Sequence, residues 1–186
     1  PVKNVKEFVA LAKSRPDQIL YASSGSGSFS HFALVLMASM TGTRMVHVPY
    51  KGGGPATTAL VSGETQVLVG SPAAVSVQLS AGRVRALGVT SDTRLSAFPK
   101  VPTVAEAGVP GYEYTGWVGV LAPSATPRAI VDRMNAEIKR AIESADTQKR
   151  LEELEPWTMT PQQMAARIKT DYEKYDRLLK LVGKLD

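Results

Sequence analysis

Three times within its first 80 residues the chain passes from a short apolar run, through small residues, into a helix start, and this alternation restricts its fold more than any single motif. Residues 19–22 read as a strand that runs into Ser23-Ser24-Gly25-Ser26-Gly27-Ser28. The apolar run 29–40, ending at Gly42, then reads as a mostly buried helix with a glycine C-cap. The unit repeats with a strand over 45–48, the loop Pro49-Tyr50-Lys51-Gly52-Gly53-Gly54 and a helix over 55–61. A third strand over 66–69 leads to Ser71-Pro72, which opens a helix closing at Gly82, and 84–90 reads as a fourth strand. Parallel neighbours need crossover connections, so strands alternating with helices predict an α/β fold with an open parallel sheet flanked by helices. Ahead of the repeats, Val2, Val5, Phe8, Val9 and Ala12 share one helical face before Pro16, which predicts an amphipathic helix over 3–14.

The second half has a different character. Residues 91–111 are loop-rich, with three prolines and one short helix whose Thr103 and Glu106 have capping-box spacing. Residues 112–121 read as a long strand, and helices follow at about 127–144, 146–154 and 161–182, the last marked by Thr160, Pro161 and Gln163 as N-cap, N1 and N3. These helices carry most of the charge and no strand pattern accompanies them. Apolar stripes such as Ile130, Met134, Ile138 and Ile142, or Met164, Ile168 and Tyr172, are therefore expected to pack on something else.

Composition removes several function classes. The net charge of +5 comes from Lys and Arg spread along the chain, the densest cluster lying among acids after residue 128, so no basic stripe with interleaved aromatics suggests a nucleic-acid surface. With no cysteine there is no disulfide, thiol nucleophile or cysteine-ligated metal. No apolar stretch approaches the roughly 20 residues of a bilayer-spanning helix. The chain opens at Pro1 without Met or a charged-then-apolar leader, as expected where a signal peptide has been removed and more besides is missing.

In an open parallel sheet the loops after the strands gather at the carboxyl edge, so three helix N-termini should face one crevice. Each offers unpaired amides and the positive end of a helix dipole, which together make a ready anion site. Ser23, Ser24, Ser26, Ser28 and Ser71 add hydroxyls, and glycines 25, 27, 52, 53 and 54 let backbone approach a ligand. The expected ligand-binding set is Ser23, Ser24, Gly25, Ser26, Gly27, Ser28, His31, Tyr50, Lys51, Gly52, Gly53, Gly54, Ser71, Pro72 and Ala73. Between residues 18 and 91 the one acid is Glu64, against the basic Arg44, Lys51, Arg83 and Arg85, so no carboxylate is expected near the loops to neutralise a ligand ammonium. That favours a plain carboxylate over an amino acid. His31, just inside a helix start, could donate to a ligand oxygen or be a partly buried structural histidine; His47, in a strand, reads as packing. The two make neither a metal site nor a triad, and Lys51 precedes its glycines, the wrong order for a P-loop. No cofactor, metal or catalytic machinery is expected. Trp117 reads as packed at a junction rather than lining a pocket.

Several stretches resemble the tripartite tricarboxylate transporter receptor family of Bug-type periplasmic solute receptors. They are Tyr21-Ala22-Ser23-Ser24-Gly25-Ser26-Gly27-Ser28 with His31, Val48-Pro49-Tyr50-Lys51-Gly52-Gly53-Gly54-Pro55-Ala56, Gly82-Arg83-Val84-Arg85-Ala86-Leu87, Val101-Pro102-Thr103-Val104-Ala105-Glu106-Ala107-Gly108, and Gly116-Trp117 with Ala122-Pro123. The resemblance implies a two-lobed type II periplasmic-binding-protein fold closing over a small carboxylate, a di- or tricarboxylate or related organic acid. Loops Ser23 to Ser28 and Tyr50 to Gly54 would grip it, with Ser71 to Ala73 as a third contact, and the protein would deliver it to membrane transporter subunits from the periplasm. Family members often carry an acid near Gln66, at the end of the third strand, which is absent here. On this likeness residues 1–116 are the second lobe, and 117–186 are a crossover strand and C-terminal helices of a first lobe whose remainder is absent. Such a fragment is expected to bind ligand weakly or not at all.

The implied protein is a receptor and not an enzyme. The competing class is the effector-sensing domain of a transcription regulator with the same two-lobed fold, which would need a DNA-binding helix-turn-helix ahead of Pro1 where a receptor needs a leader.

Overall fold

The computed structural model describes residues 2–151 and 157–182. Residues 1–116 and residues 117–180 gather into two compact units, and each is described by itself.

The first unit is built on three parallel strands, β1 (Leu20–Ser23), β2 (Val46–Pro49) and β3 (Val67–Leu68), in the order β2-β1-β3. Tyr21 stands opposite His47 on one side and Val67 on the other, and Ala22 opposite Val48 and Leu68. Helix α1 (Val5–Ser14) starts where Asn4 caps the Glu7 amide and turns Val5, Phe8 and Ala12 inward. α2 (Phe29–Thr41) follows β1, capped by Ser28 at its start and by Gly42 at φ 64° at its end. α3 (Gly53–Ser62) follows β2, and α4 (Pro72–Ser80) follows β3. The core is made of small residues: Ala12, Ala22, Ala33, Leu34 and Ala56 are fully buried, so helices lie close on the central strand.

Several helix boundaries differ from the expected ones, α1 beginning at Val5 rather than at residue 3. α3 begins at Gly53 and not at Pro55, which puts Pro55 third in the first turn, where its missing N–H forfeits no hydrogen bond. α4 ends at Ser80 and is capped by Ala81, whose amide reaches the Val77 and Leu79 carbonyls, ahead of the expected close at Gly82.

The expected strand over 84–90 contracts to one parallel bridge between Val89 and Thr103, with the Val89 amide donating to the Pro102 carbonyl at 2.9 Å and the Val104 amide to the Val89 carbonyl at 2.8 Å. The Thr103–Glu106 box forms as its spacing predicts: the Glu106 amide donates to Thr103 Oγ1 at 3.0 Å and the Thr103 amide to Glu106 Oε2 at 2.9 Å. It caps a turn rather than a helix, because Gly108 at φ 132° and Pro110 end it within about one revolution. Tyr112 and Tyr114 are buried: the Tyr112 hydroxyl donates to the Ala33 carbonyl at 2.9 Å, and Tyr114 lies against Phe29 with ring centres 4.8 Å apart.

The second unit holds α5 (Arg128–Glu143), α6 (Ala145–Arg150) and α7 (Pro161–Val182). Residues 152–154 of the expected middle helix lie outside the described residues. Thr160 and Gln163 cap α7 reciprocally, at 3.2 and 2.9 Å. The expected strand over 112–121 forms no ladder among the described residues. A strand needs a partner with free backbone groups as well as an alternating pattern, and Val118, Val120 and Leu121 remain exposed. Trp117 is fastened instead to α7, its indole N–H donating to Asp171 Oδ2 at 2.5 Å while Arg167 Nε donates to the same oxygen at 2.8 Å.

Candidate functional site

With the strands in the order β2-β1-β3, the chain leaves β1 for β2 on one side and returns across it to β3 on the other, so β1 lies at the centre of the sheet. In open α/β sheets the ligand crevice lies outside the carboxyl ends of such strands. The loops after β1 and β2 meet there: the Tyr50 amide donates to the Ser23 carbonyl at 3.0 Å and the Gly52 amide to the Ser24 carbonyl at 3.3 Å. Ser71, Pro72 and Ala73 stand at the carboxyl end of β3, the neighbour of β1. The three expected loops therefore share one edge of one sheet.

What they offer is narrower than their composition suggests. The Gly25 amide donates to Ser23 Oγ at 3.1 Å, the Ser24 amide to Ser30 Oγ at 2.9 Å, the Ser28 amide to the Gly25 carbonyl at 3.1 Å and the Gly27 amide to His31 Nδ1 at 3.1 Å. Ser28 Oγ accepts from the His31 amide at 3.3 Å, as an N-cap does. Among the described residues the amides of Ser26, Phe29, Ser30, Lys51, Gly53, Gly54 and Ala73 have no acceptor in the chain. Two prolines set this pattern, since Pro55 and Pro72 remove donors from the first turns of α3 and α4. α2 and α3 thus present two adjacent first-turn amides each and α4 one, all at the positive ends of helix dipoles.

The hydroxyls are partly engaged. Ser24 and Ser28 each meet Ser30 Oγ, at 3.2 and 3.0 Å, and Ser23 is fully buried. Ser26 and Ser71 are exposed. Gly25, Gly27 and Gly52 take φ values of 132°, 76° and 105°, which other residues adopt at a cost. A Cβ added at Gly52, Gly53 or Gly54 would meet nothing within 4 Å, so the space beside those amides is open.

His47 has a larger part than packing. Its ring stacks on His31 at 3.8 Å between centres and 8° between planes, and on its register partner Tyr21 at 4.9 Å, while its Nε2 lies 2.6 Å from Ser23 Oγ. Burial, followed by the proximity of His31, lowers His47 to about 4, and burial also lowers His31. Burial raises Tyr21 to about 12, so the ring column is uncharged at neutral pH. The signal for His47 was its register opposite Tyr21, which strand pairing sets and spacing along the chain does not. The Ser23–His47 contact resembles half of a catalytic dyad, but Ser23 has no exposed surface through which to meet a substrate.

One expectation about charge is corrected. Glu64 is not remote from the loop residues: the Tyr50 hydroxyl donates to Glu64 Oε1 at 2.6 Å, and that bond raises the phenol to about 12. Because Glu64 follows the far end of α3, this bond turns the Tyr50 hydroxyl away from the first-turn amides. Gln66, expected to begin the third strand, stands one residue ahead of β3, and its Oε1 accepts from the Leu20 amide at 2.8 Å, at the edge opposite the loops. Arg44 precedes β2 at that same edge and pairs with Asp17 at 2.7 Å. Of the four bases weighed above, Lys51 is the one that belongs to the loops, and it is exposed. No cluster of three or more His, Cys, Asp or Glu fit to hold a metal occurs among the described residues, and no described helix is long and apolar enough to cross a membrane.

Comparison with known proteins gives a consistent picture. The family model described as tripartite tricarboxylate transporter family receptor matches residues 1–184. A Pseudomonas sp. (strain P51) protein, the UPF0065 protein in the tcbD-tcbE intergenic region, is 38% identical over 180 residues, covering 95% of this chain and 54% of its own. Among solved structures, R. palustris Rpa4515 with adipate superposes with a TM-score of 0.93 at 33% identity, covering 100% of this chain and 62% of that one. The periplasmic binding protein BugD superposes with a TM-score of 0.89 at 28% identity, covering 100% and 63%. The chain spans about half the length of the curated relatives it matches.

Proposed function

The chain belongs to the tripartite tricarboxylate transporter receptor family, and on that premise we propose that it is the ligand-facing part of an extracytoplasmic receptor that binds a small carboxylate and delivers it, unchanged, to membrane transporter subunits. The observation that carries this reading is the set of unpaired first-turn amides on α2 and α3, joined by loop contacts at one sheet edge with open space beside Gly53 and Gly54. Paired N–H groups at a helix start suit the two oxygens of a carboxylate, and the dipoles favour its charge. The ligand class is a di- or tricarboxylate or related organic acid; adipate in a structural neighbour supports the dicarboxylate end of that range. The likeness to the periplasmic binding protein BugD supports a location in the periplasm.

On the same reading residues 1–116 are the second lobe, carrying the ligand-binding loops. Residues 117–186 are the crossover segment and C-terminal helices of the first lobe. The division of the chain after Gly116 supports this, as does the apolar face of α5, where Ile130 and Met134 are half exposed. The deciding experiment is titration calorimetry of the full protein with adipate and a panel of di- and tricarboxylates: saturable binding with no turnover is expected, and turnover, or no binding across the panel, would overturn the proposal.

A further inference from the structure

We propose that His31 is a positioning residue for the loop between β1 and α2: its Nδ1 engages the Gly27 amide, its ring is seated on His47, and together they hold Ser26 with its amide free for a ligand. The proposal rests on the reading of this loop as a carboxylate site. Ser23 to Ser28 is six small residues without an apolar side chain to anchor it, and ordering such a segment costs conformational entropy at every residue. Besides the bonds to Ser30 and to the loop after β2, two attachments to the histidine rings fix it. From one side, His47 Nε2 meets Ser23 Oγ at 2.6 Å, and that oxygen accepts from the Gly25 amide at 3.1 Å. From the other, the Gly27 amide donates to His31 Nδ1 at 3.1 Å. The two rings therefore fasten the two glycines on either side of Ser26, whose amide has no acceptor among the described residues.

The geometry also fixes the tautomer of His31. A His31 Nδ1 that accepts from a backbone N–H carries no proton, so the proton sits on Nε2. The titratable groups packed on His31 are Tyr21 from β1 and His47 from β2, with the Phe32 ring from its own helix. His31 is 4% exposed, so its contribution is to the shape of the loop: preorganising it removes an ordering cost that the ligand would otherwise bear.

The test compares H31N with H31Q in the full protein, using adipate as the probe. An Asn side-chain oxygen occupies the place of Nδ1 and can accept from Gly27, whereas the Gln amide group reaches the place of Nε2 and cannot. H31N is expected to weaken adipate by no more than about threefold and H31Q by about tenfold or more, the scale of one lost hydrogen bond. Long-range proton–nitrogen NMR of the wild type is expected to find the His31 proton on Nε2, and the Gly25 and Gly27 amides exchanging more slowly than that of Ser26. Equal losses in the two variants, or a proton on Nδ1, would overturn the assignment. Should either variant fail to fold, the wild-type tautomer and exchange rates decide alone. A wild type that ignores adipate counts against the carboxylate reading, and those same rates still decide the positioning role.

Discussion

The imidazoles of His31 and His47 lie face to face, 3.8 Å between centres and 8° between planes, although the residues come from a helix and a strand 16 positions apart. Both rings have lowered proton affinity, His47 to about 4, and stability must follow. A base whose folded pKa lies below its unfolded 6.5 binds fewer protons when folded. Its stabilisation is complete above about pH 6.5 and is lost as pH falls toward 4. Urea midpoints at pH 7.5, 5.5 and 4.5 are expected to drop across that window and to flatten in a His47→Phe variant; an equally steep acid limb in the variant refutes the assignment.

Gly116 predicts a second effect. A Cβ there would stand 2.7 Å from two carbons of the Phe29 ring, which is itself packed on Tyr114. Gly116→Ala should therefore cost about 1 kcal/mol, the low end for overpacking because Phe29 is 38% exposed, and it should do so at the residue that opens α2. Chemical denaturation of this variant beside Gly116→Ala/Phe29→Leu checks the cause, since the smaller side chain should recover part of the loss.

How much of this was legible beforehand depended on whether a feature was local. Gly42 as a helix cap, Ser28 as the start of α2 and the Thr160–Gln163 box at α7 each need only a few neighbouring residues, and each stands where its spacing implied. The alternation of three short strands with helices likewise gave the parallel sheet. Features decided by a partner distant along the chain differ from their local pattern. Residues 112–121 have a strand pattern but no ladder, His47 acquires its role from a register with Tyr21, and the Tyr50 hydroxyl turns to Glu64. Which loop amides are already engaged inside the chain was beyond any composition argument, because Ser30 and His31 take them from within the following helix.

Asp171 supplies a third prediction. Burial alone would raise its carboxyl, yet hydrogen bonds from Arg167 and Trp117 hold it below the usual range. Asp171→Ala removes an ionised acceptor of two donors from a residue 8% exposed, so a loss of about 1.5–3 kcal/mol is expected. The change should also alter Trp117 emission, read against a Trp117→Phe control that leaves only the exposed Trp157. An unchanged Trp117 contribution would mean that the indole is held by other contacts.

Gly53 separates the ligand role from the folding role. It is the first residue of α3, its φ is not in the left-handed region, and a side chain there would meet no atom within 4 Å. Any residue better suited to a helix than glycine should be tolerated or slightly stabilising, by up to about 1 kcal/mol for alanine. The open space is nonetheless the approach to the Gly53 and Gly54 amides, so Gly53→Val should block a carboxylate while the fold stands. The expected result is a urea midpoint near that of the wild type together with adipate binding weakened about tenfold or more, equivalent to about 1.4 kcal/mol. Ser28→Ala is the contrasting case, because it removes the α2 cap and should cost about 1 kcal/mol of stability as well as affinity. If Gly53→Val and Ser28→Ala both bind adipate as the wild type does, the ligand does not sit at the carboxyl edge of this sheet.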